Sequence, residues 1–315
     1  MSPRLTIYLG CLCALAATAC NRQPASSDGR PRIALVLKTL NNPFFIEMQR
    51  GAQEAAKTLN VDLTVQAAER ETDVDKQMQI IENLIQAKVN ALAVTPSGSR
   101  EVVPAIKKAN DANIPVVVVD TRLDQKAAAD GGVKTVSFVG SDNYRGGQLI
   151  GEYLVKASGG KARVAILEGI AGHETGDSRV KGFRDAVKDS PGIQIVASQT
   201  ANWERDQGFN VFQNILQAHP DVDTVFACND MMALGAIEAI NQGGKAGKIR
   251  VLGFDAVKDA RAALESGAMA ATVAQYPDEM GKAAVEMAVK AVRGEAVNPD
   301  VGVRIGLVTK ENARQ

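Results

Sequence analysis

From Arg32 onward the chain alternates short runs of apolar, mostly β-branched residues with longer stretches whose apolar positions fall three and four apart. The runs are IALVL, VDLTVQA, ALAVT, PVVVVD, TVSFVG, RVAILEG, IQIVAS, TVFACN, RVLGFD and AATVAQ. Most are continuously apolar, as strands buried on both faces of a parallel sheet are. Between most of them lie segments of helical period, such as Val74, Met78, Ile81, Leu84 and Ile85 after Asp73, an N-cap residue type. An amphipathic helix is expected from about Phe44, with Phe45, Met48, Ala52, Ala55 and Leu59 on one face. Strand and helix in alternation predict βαβ units. So many strands exceed one sheet of usual width, and the pattern therefore predicts an α/β protein of two doubly wound halves. The polar stretch LDQKAAADGGVK, Leu123 to Lys134, reads as a loop near the end of the first half.

The N-terminal segment MSPRLTIYLGCLCALAATAC breaks this pattern, with one cationic residue, Arg4, an apolar run from Ile7 to Ala17, and small residues before Cys20. Residues 1–19 read as a secretory signal peptide, too short in its apolar run to span a bilayer. ATAC resembles the lipobox of bacterial lipoproteins, with Ala17 where a leucine is usual, which implies a lipid on Cys20 and a membrane-anchored protein of the periplasm or cell envelope. Residues 20–31, rich in Ser, Pro and polar residues, read as a flexible tether. Cys11 and Cys13 would leave with the signal and Cys20 would carry lipid, so Cys228 stands alone, without a disulfide partner, as a small buried hydrophobe.

Composition narrows the function. Lys plus Arg and Asp plus Glu each number 36, so the formal charge is zero and no bulk charge draws the chain to nucleic acid. At 45% hydrophobic, 315 residues bury substantial cores. The two histidines, His173 and His219, with one remaining thiol show no zinc-ligand spacing.

Chemistry collects at the carboxyl ends of the expected strands, where open parallel sheets bind ligands. Lys38, Asp120, Asn229, Asp255 and Gln275 each follow or end an apolar run. Asn42, Phe44 and Phe45 occupy the turn after the first run, stiffened by Pro43, and Arg179 and Trp203 fall in loop-helix segments. Carboxylates accept hydroxyl protons, amides donate and accept, and a guanidinium donates as a planar fork. Aromatic faces suit the C–H side of a sugar ring, so the set fits a small polyhydroxylated ligand. Plainer readings stand beside this one. Phe44 and Phe45 are also ordinary core, Asp120 and Asp255 also helix caps, and Arg179 also a solvated helix residue. His173 in GIAGHETGD reads as a loop histidine, with no nucleophile arranged beside it. GIAGHETG has neither spacing of a phosphate-cradling loop.

The segments VLKTLNNPFF, GAQEAAKTL, SDNYRGGQLIGEYL, LEGIAGHETGDSRVKGF, ASQTANWERDQG, AHPDVDTVFACNDMMALGA, VLGFDAVKDA and ATVAQYPDEMG resemble the ribose- and allose-binding proteins of bacterial sugar ABC transporters, from about Ile33 to the C terminus. The resemblance implies a type I periplasmic binding protein: two α/β domains, three hinge crossovers and a sugar in the cleft. It implies one domain of residues 32–141 plus 276–303 and another of 142–275 plus 304–315. Its pocket falls on Asn42, Phe44, Phe45, Asp120, Arg179, Trp203, Asn229, Asp255 and Gln275. Two positions bear on the sugar: ribose-binding relatives carry a small residue at Lys38 and an arginine at Thr121. Lysine in VLKTL and tryptophan in NWERD resemble the allose-binding type, which favours a hexose over ribose. The implied protein is a monomer without cofactor, metal or catalytic residue that delivers its sugar to a membrane permease. Its rivals are a sugar sensor for a chemoreceptor or histidine kinase, and a secreted sugar hydrolase using Asp120 and Asp255 as acid and base. A lactose-repressor-like regulator would need a DNA-reading unit where the signal peptide stands.

Overall fold

A computed structural model of the protein describes residues 29–314. The leader, Cys20 and the tether up to residue 28 lie outside the described residues. The first part of the chain runs β1 (Arg32–Thr39), α1 (Pro43–Leu59), β2 (Asp62–Ala68), α2 (Val74–Gln86), β3 (Ala91–Val94), α3 (Val103–Asp111), β4 (Val116–Val119), α4 (Gln125–Asp130) and β5 (Ser137–Ser141). There follow α5 (Asn143–Ser158), β6 (Lys161–Glu168), α6 (Glu174–Val187), β7 (Gly192–Thr200), α7 (Arg205–Ala218), β8 (Thr224–Ala227), α8 (Asp230–Gln242), β9 (Arg250–Asp255), α9 (Lys258–Ser266) and β10 (Ala271–Ala274). The last elements are α10 (Pro277–Arg293), β11 (Asp300–Val303) and β12 (Gly306–Thr309).

These strands form two six-stranded sheets, ordered β11-β5-β4-β3-β1-β2 and β12-β10-β9-β8-β6-β7. The first is parallel throughout. The second is parallel except at one edge, where β12 runs antiparallel to β10. The chain passes from one sheet to the other after β5, after β10 and between β11 and β12. This is the periplasmic binding protein type I architecture.

The near-continuous apolar strands have the cause expected of them. In β1, Ile33, Leu35 and Leu37 enter one cluster with Phe44, Phe45 and Met48 of α1 and Met280 and Val285 of α10. Ala34 and Val36 point the other way, into a cluster with Ile80, Ile81 and Leu84 of α2 and Ile106 of α3. Successive side chains of a strand alternate between faces, so only a sheet covered on both sides needs every position apolar. In each sheet the order reverses beside the first strand of its half, at β1 and at β6, and ligands of open parallel sheets bind beyond the strand ends at such points.

Local differences from the expected pattern have local reasons. LDQKAAADGGVK is not all loop: it holds α4, started by Asp124, whose Oδ1 accepts from Ala127 N at 2.8 Å. β11 (DVGV) and β12 (GLVT) lie outside the apolar runs because both are half-exposed edge strands. Asp73 precedes α2 but does not cap it; its Oδ2 accepts from Arg70 N at 2.9 Å and closes the turn behind. Cys228 is fully buried, which pushes its thiol up to about 12.

Candidate functional site: a closed cleft between the two sheets

One wall of the cleft begins at the end of β1. Asn42 caps α1: its Oδ1 accepts from Phe44 N at 3.0 Å, while its Nδ2 donates to Glu71 Oε1 at 3.0 Å. Pro43 at the first helical position has no N–H to leave unpaired, so the helix starts abruptly and its first turn carries both phenylalanines. Their rings meet edge to face, 5.2 Å apart and 88° inclined. The opposed readings of Phe44 and Phe45 both hold: they belong to the first core and they line the cleft. Lys38 points inward from β1. Its Nζ donates to Thr121 Oγ1 at 2.8 Å and lies 3.3 Å from Asp120 Oδ2 and 3.8 Å from Glu71 Oε2. Burial pushes the Glu71 carboxyl up to about 7 against the pull of the Lys38 ammonium.

The other wall is built around Arg179 in α6, which is buried, not solvated. Its Nε donates to Asn143 Oδ1 at 2.9 Å and its Nη1 to the Cys228 carbonyl at 2.7 Å, with Asp255 Oδ1 3.8 Å away. Its guanidinium carbon stands 3.8 Å from the Phe254 ring centre and 5.6 Å from that of Trp203. The indole of Trp203 fits because residue 169 is glycine: a Cβ there would lie 1.9 Å from Trp203 Cζ2. Asn229 caps α8 through Met232 N (2.9 Å) and donates to the Trp203 carbonyl (3.0 Å). Gln275 Nε2 donates to Asp255 Oδ1 at 2.7 Å. Behind it, buried Asp230 accepts from Thr272 Oγ1 and Val257 N, and burial raises the carboxyls of both Asp230 and Asp255.

Neither Asp120 nor Asp255 is a helix cap, contrary to the plainer reading, since α4 and α9 start beyond them at Asp124 and Val257. Both sit on left-handed backbone, with φ of 63° and 117°, as does Trp203 at 68°. Side-chain-bearing residues there cost of order 1–3 kcal/mol each, and such strain collects at functional sites.

These side chains line one narrow cavity between the two halves, concave and carrying a few convergent polar groups, as small-molecule sites do. Its lining includes Lys38, Asn42, Phe44, Phe45 and Asp120 from one half and Arg179, Trp203, Asn229, Asp255 and Gln275 from the other or the crossover. Thr121 stands behind the wall as the partner of Lys38 and Asp120. Two lining residues, Glu71 and Thr175, escaped sequence reasoning. Glu71 sits in ERETD, indistinguishable there from solvated surface, whereas Thr175 in HETGD follows a loop already suspect for its glycines. Within the lining, Thr175 Oγ1 and Gln275 Oε1 are buried without a hydrogen-bond partner.

The cleft is bridged. His173, between β6 and α6, places Nε2 2.7 Å from the carbonyl of Ser97, which follows β3. Glu174 N donates to Ser99 Oγ at 3.3 Å, and Arg70 pairs with Asp206 at 3.4 Å. His173 is thus no ordinary loop histidine: it is 2% exposed and joins the two halves.

Comparison with known proteins agrees with this construction. Residues 33–296 match the periplasmic binding protein domain model, and the chain belongs to that family. It is 40% identical to the ribose import binding protein RbsB of Escherichia coli (strain K12) over 287 residues, 91% of this chain and 93% of that protein. With the D-allose-binding periplasmic protein of the same organism it shares 35% over 267 residues, 84% of this chain and 86% of that one. An ABC transporter periplasmic solute-binding protein from Actinobacillus succinogenes, solved with bound D-allose, superposes with a TM-score of 0.84 at 42% identity, covering 90% of this chain and 99% of that one. These relatives are binding proteins, not enzymes, which sets aside the hydrolase reading of Asp120 and Asp255.

Proposed function

We propose that the chain captures a monosaccharide in the cleft between its two halves and delivers it to an ABC permease, with a hexose such as allose preferred to ribose. The observation that carries this reading is the convergence on one cavity of aromatic faces, carboxylates, amides and one guanidinium from both halves, with two buried oxygens lacking partners. A ring of hydroxyls supplies donors to those oxygens and carboxylates, and its C–H faces meet Phe44, Phe45 and Trp203. Contacts from both halves favour the closed form by as much as they differ between closed and open. The domains are residues 32–141 plus 276–303 and residues 142–275 plus 304–315, hinged at the three crossings. The site comprises the lining residues with Thr121. A preference for hexose is supported by Lys38 and Trp203, both of the allose-binding type. Cys20 carries the lipid anchor that keeps a monomer near its permease, with more than one acyl chain needed for stable attachment.

Calorimetric titration with D-allose, D-ribose and a panel of other monosaccharides tests the reading. Binding of a hexose at least about tenfold tighter than ribose, or about 1.4 kcal/mol, is expected. No heat from any sugar at millimolar concentration would end it.

A further inference from the structure

His173 touches both the opposite half of the cleft and the tryptophan that walls it. Its Nε2 lies 2.7 Å from the Ser97 carbonyl oxygen, and its Nδ1 lies 3.4 Å from Nε1 of Trp203. A carbonyl can only accept, so Nε2 carries the proton; an indole N–H can only donate, so Nδ1 carries the lone pair. Both contacts demand one neutral tautomer, and each fixes it for the other. Ser97 is itself held: its N donates to Gln77 Oε1 at 2.8 Å, and Gln77 Nε2 donates to the Thr95 carbonyl at 2.9 Å and the Leu37 carbonyl at 3.3 Å. The position of the first half is thereby passed through one imidazole to the ring of Trp203.

We infer that His173 is a positioning residue that couples closure of the cleft to the placement of Trp203, and that its protonation opens the cleft and weakens sugar capture. The inference rests on the reading that the cleft closes over a sugar. The groups that act on the imidazole come from several elements. They are the ammonium of Lys38 in β1, the carboxylate of Asp120 after β4, the Ser97 carbonyl after β3, and the indole of Trp203 before α7. Burial, followed by Lys38, pushes the imidazole down to about 3, and the Ser97 carbonyl and Asp120 oppose this only in part. Opening returns it to water, where histidine titrates near about 6.5. Between these values the open form takes up a proton that the closed form refuses. The contribution of neutral His173 to closure is therefore present in full above about 6.5 and is lost progressively as the pH falls below it. From about pH 7.5 to about pH 5 the penalty on closure amounts to about 30-fold in affinity.

The test compares the full chain with His173→Asn, which cannot titrate, using the tightest sugar of the panel. Glu71 and Asp255 act alike in both, so the difference isolates His173. The native chain is expected to lose about 30-fold more affinity than the variant between about pH 7.5 and about pH 5. Trp203 is the sole tryptophan and stands beside the imidazole, so its emission reports protonation of His173, with a step at about pH 6.5 in the sugar-free native chain that the variant lacks. Should the variant fail to fold, proton NMR of the native chain decides, because only His173 and His219 contribute imidazole signals. One of them must titrate normally without sugar and cease to titrate above about pH 4 with it. Equal pH dependence of native and variant, or two imidazoles indifferent to sugar, overturns the inference. Sugar binding without that pH difference refutes the role of His173 alone; no sugar binding at neutral pH refutes the functional reading and with it the coupling.

Discussion

The two walls of the cleft each hold one buried cation, by different means. On the first wall Lys38 is held by other cleft side chains, Thr121, Asp120 and Glu71, and one ammonium answers two carboxylates. On the second, Arg179 is fixed to the scaffold through the Cys228 carbonyl, Asn143 and the face of Phe254. A point charge on a flexible stem can follow a ligand; a planar fork anchored at two edges cannot. The first wall is suited to telling one sugar from another, and the second to presenting the same preformed donor to any sugar.

The strongest test of that contrast is Arg179→Ala. It strips the donor from a buried carbonyl and the nearest cation from Asp255, and breaking a buried ion pair costs about 3–5 kcal/mol. Sugar affinity should fall about 100-fold, a buried charged hydrogen bond being worth about 1.5–3 kcal/mol, with a lowered melting temperature. Arg179→Lys should restore little, because an ammonium cannot make both fixed bonds in the same plane. If lysine rescues affinity to within a fewfold of native, the second wall is no more rigid than the first.

Lys38→Ser probes the other side. Asp120 and Thr121 can still pair with each other, as Thr121 Oγ1 already lies 3.1 Å from Asp120 Oδ2. The expected loss of hexose affinity is about 10- to 30-fold, near the lower range for a charged hydrogen bond, and ribose should lose much less. A uniform loss for both sugars would deny the first wall its part in selection.

How much of this was legible in the sequence divides along the same line. Strand ends are legible because the period changes there, so Lys38, Asp120, Asn229, Asp255 and Gln275 could be picked out one by one. The fold followed from the continuous apolar runs, except at β11 and β12, where edge strands need no apolar run. Glu71 and His173 were illegible for another reason. Glu71 is surrounded in sequence by polar residues and His173 lies in a glycine-rich turn, and each meets its cleft partner far along the chain, Lys38 at 33 positions for one and Ser97 at 76 for the other. Gln77 lay hidden in the same way, a polar residue fully buried in α2 and spent on three bonds to the loop ends. Closure makes these environments, and no local pattern records it.

Gly169→Ala moves the tryptophan without touching a polar group. The indole cannot fold away from a new methyl group, and overpacking of this kind costs about 1–3 kcal/mol. Sugar affinity should fall about tenfold, with a shift of Trp203 emission to longer wavelength as the ring meets water. Unchanged emission would mean that the backbone at residue 169 yields, and that the second wall gives way where it was taken as fixed.

The smallest effect concerns Glu71 and pH. Its carboxyl is raised from 4.5 to about 7, so between those values the folded cleft retains a proton that the unfolded chain has released. Stability from this group is therefore greatest on the acid side and is lost as the pH rises through about 7, opposite in direction to the contribution of His173. Glu71→Gln removes the ionisation and keeps an acceptor for Asn42. Melting curves from about pH 5 to about pH 8 should show the variant gaining a few degrees on the native chain as the pH rises. Saturating sugar should shrink that gain, because a hydroxyl donated to Glu71 stabilises the carboxylate and lowers its proton affinity. A gain that persists undiminished with sugar bound would place Glu71 outside the set that meets the ligand, and leave Lys38 and Asp120 as the selective part of the first wall.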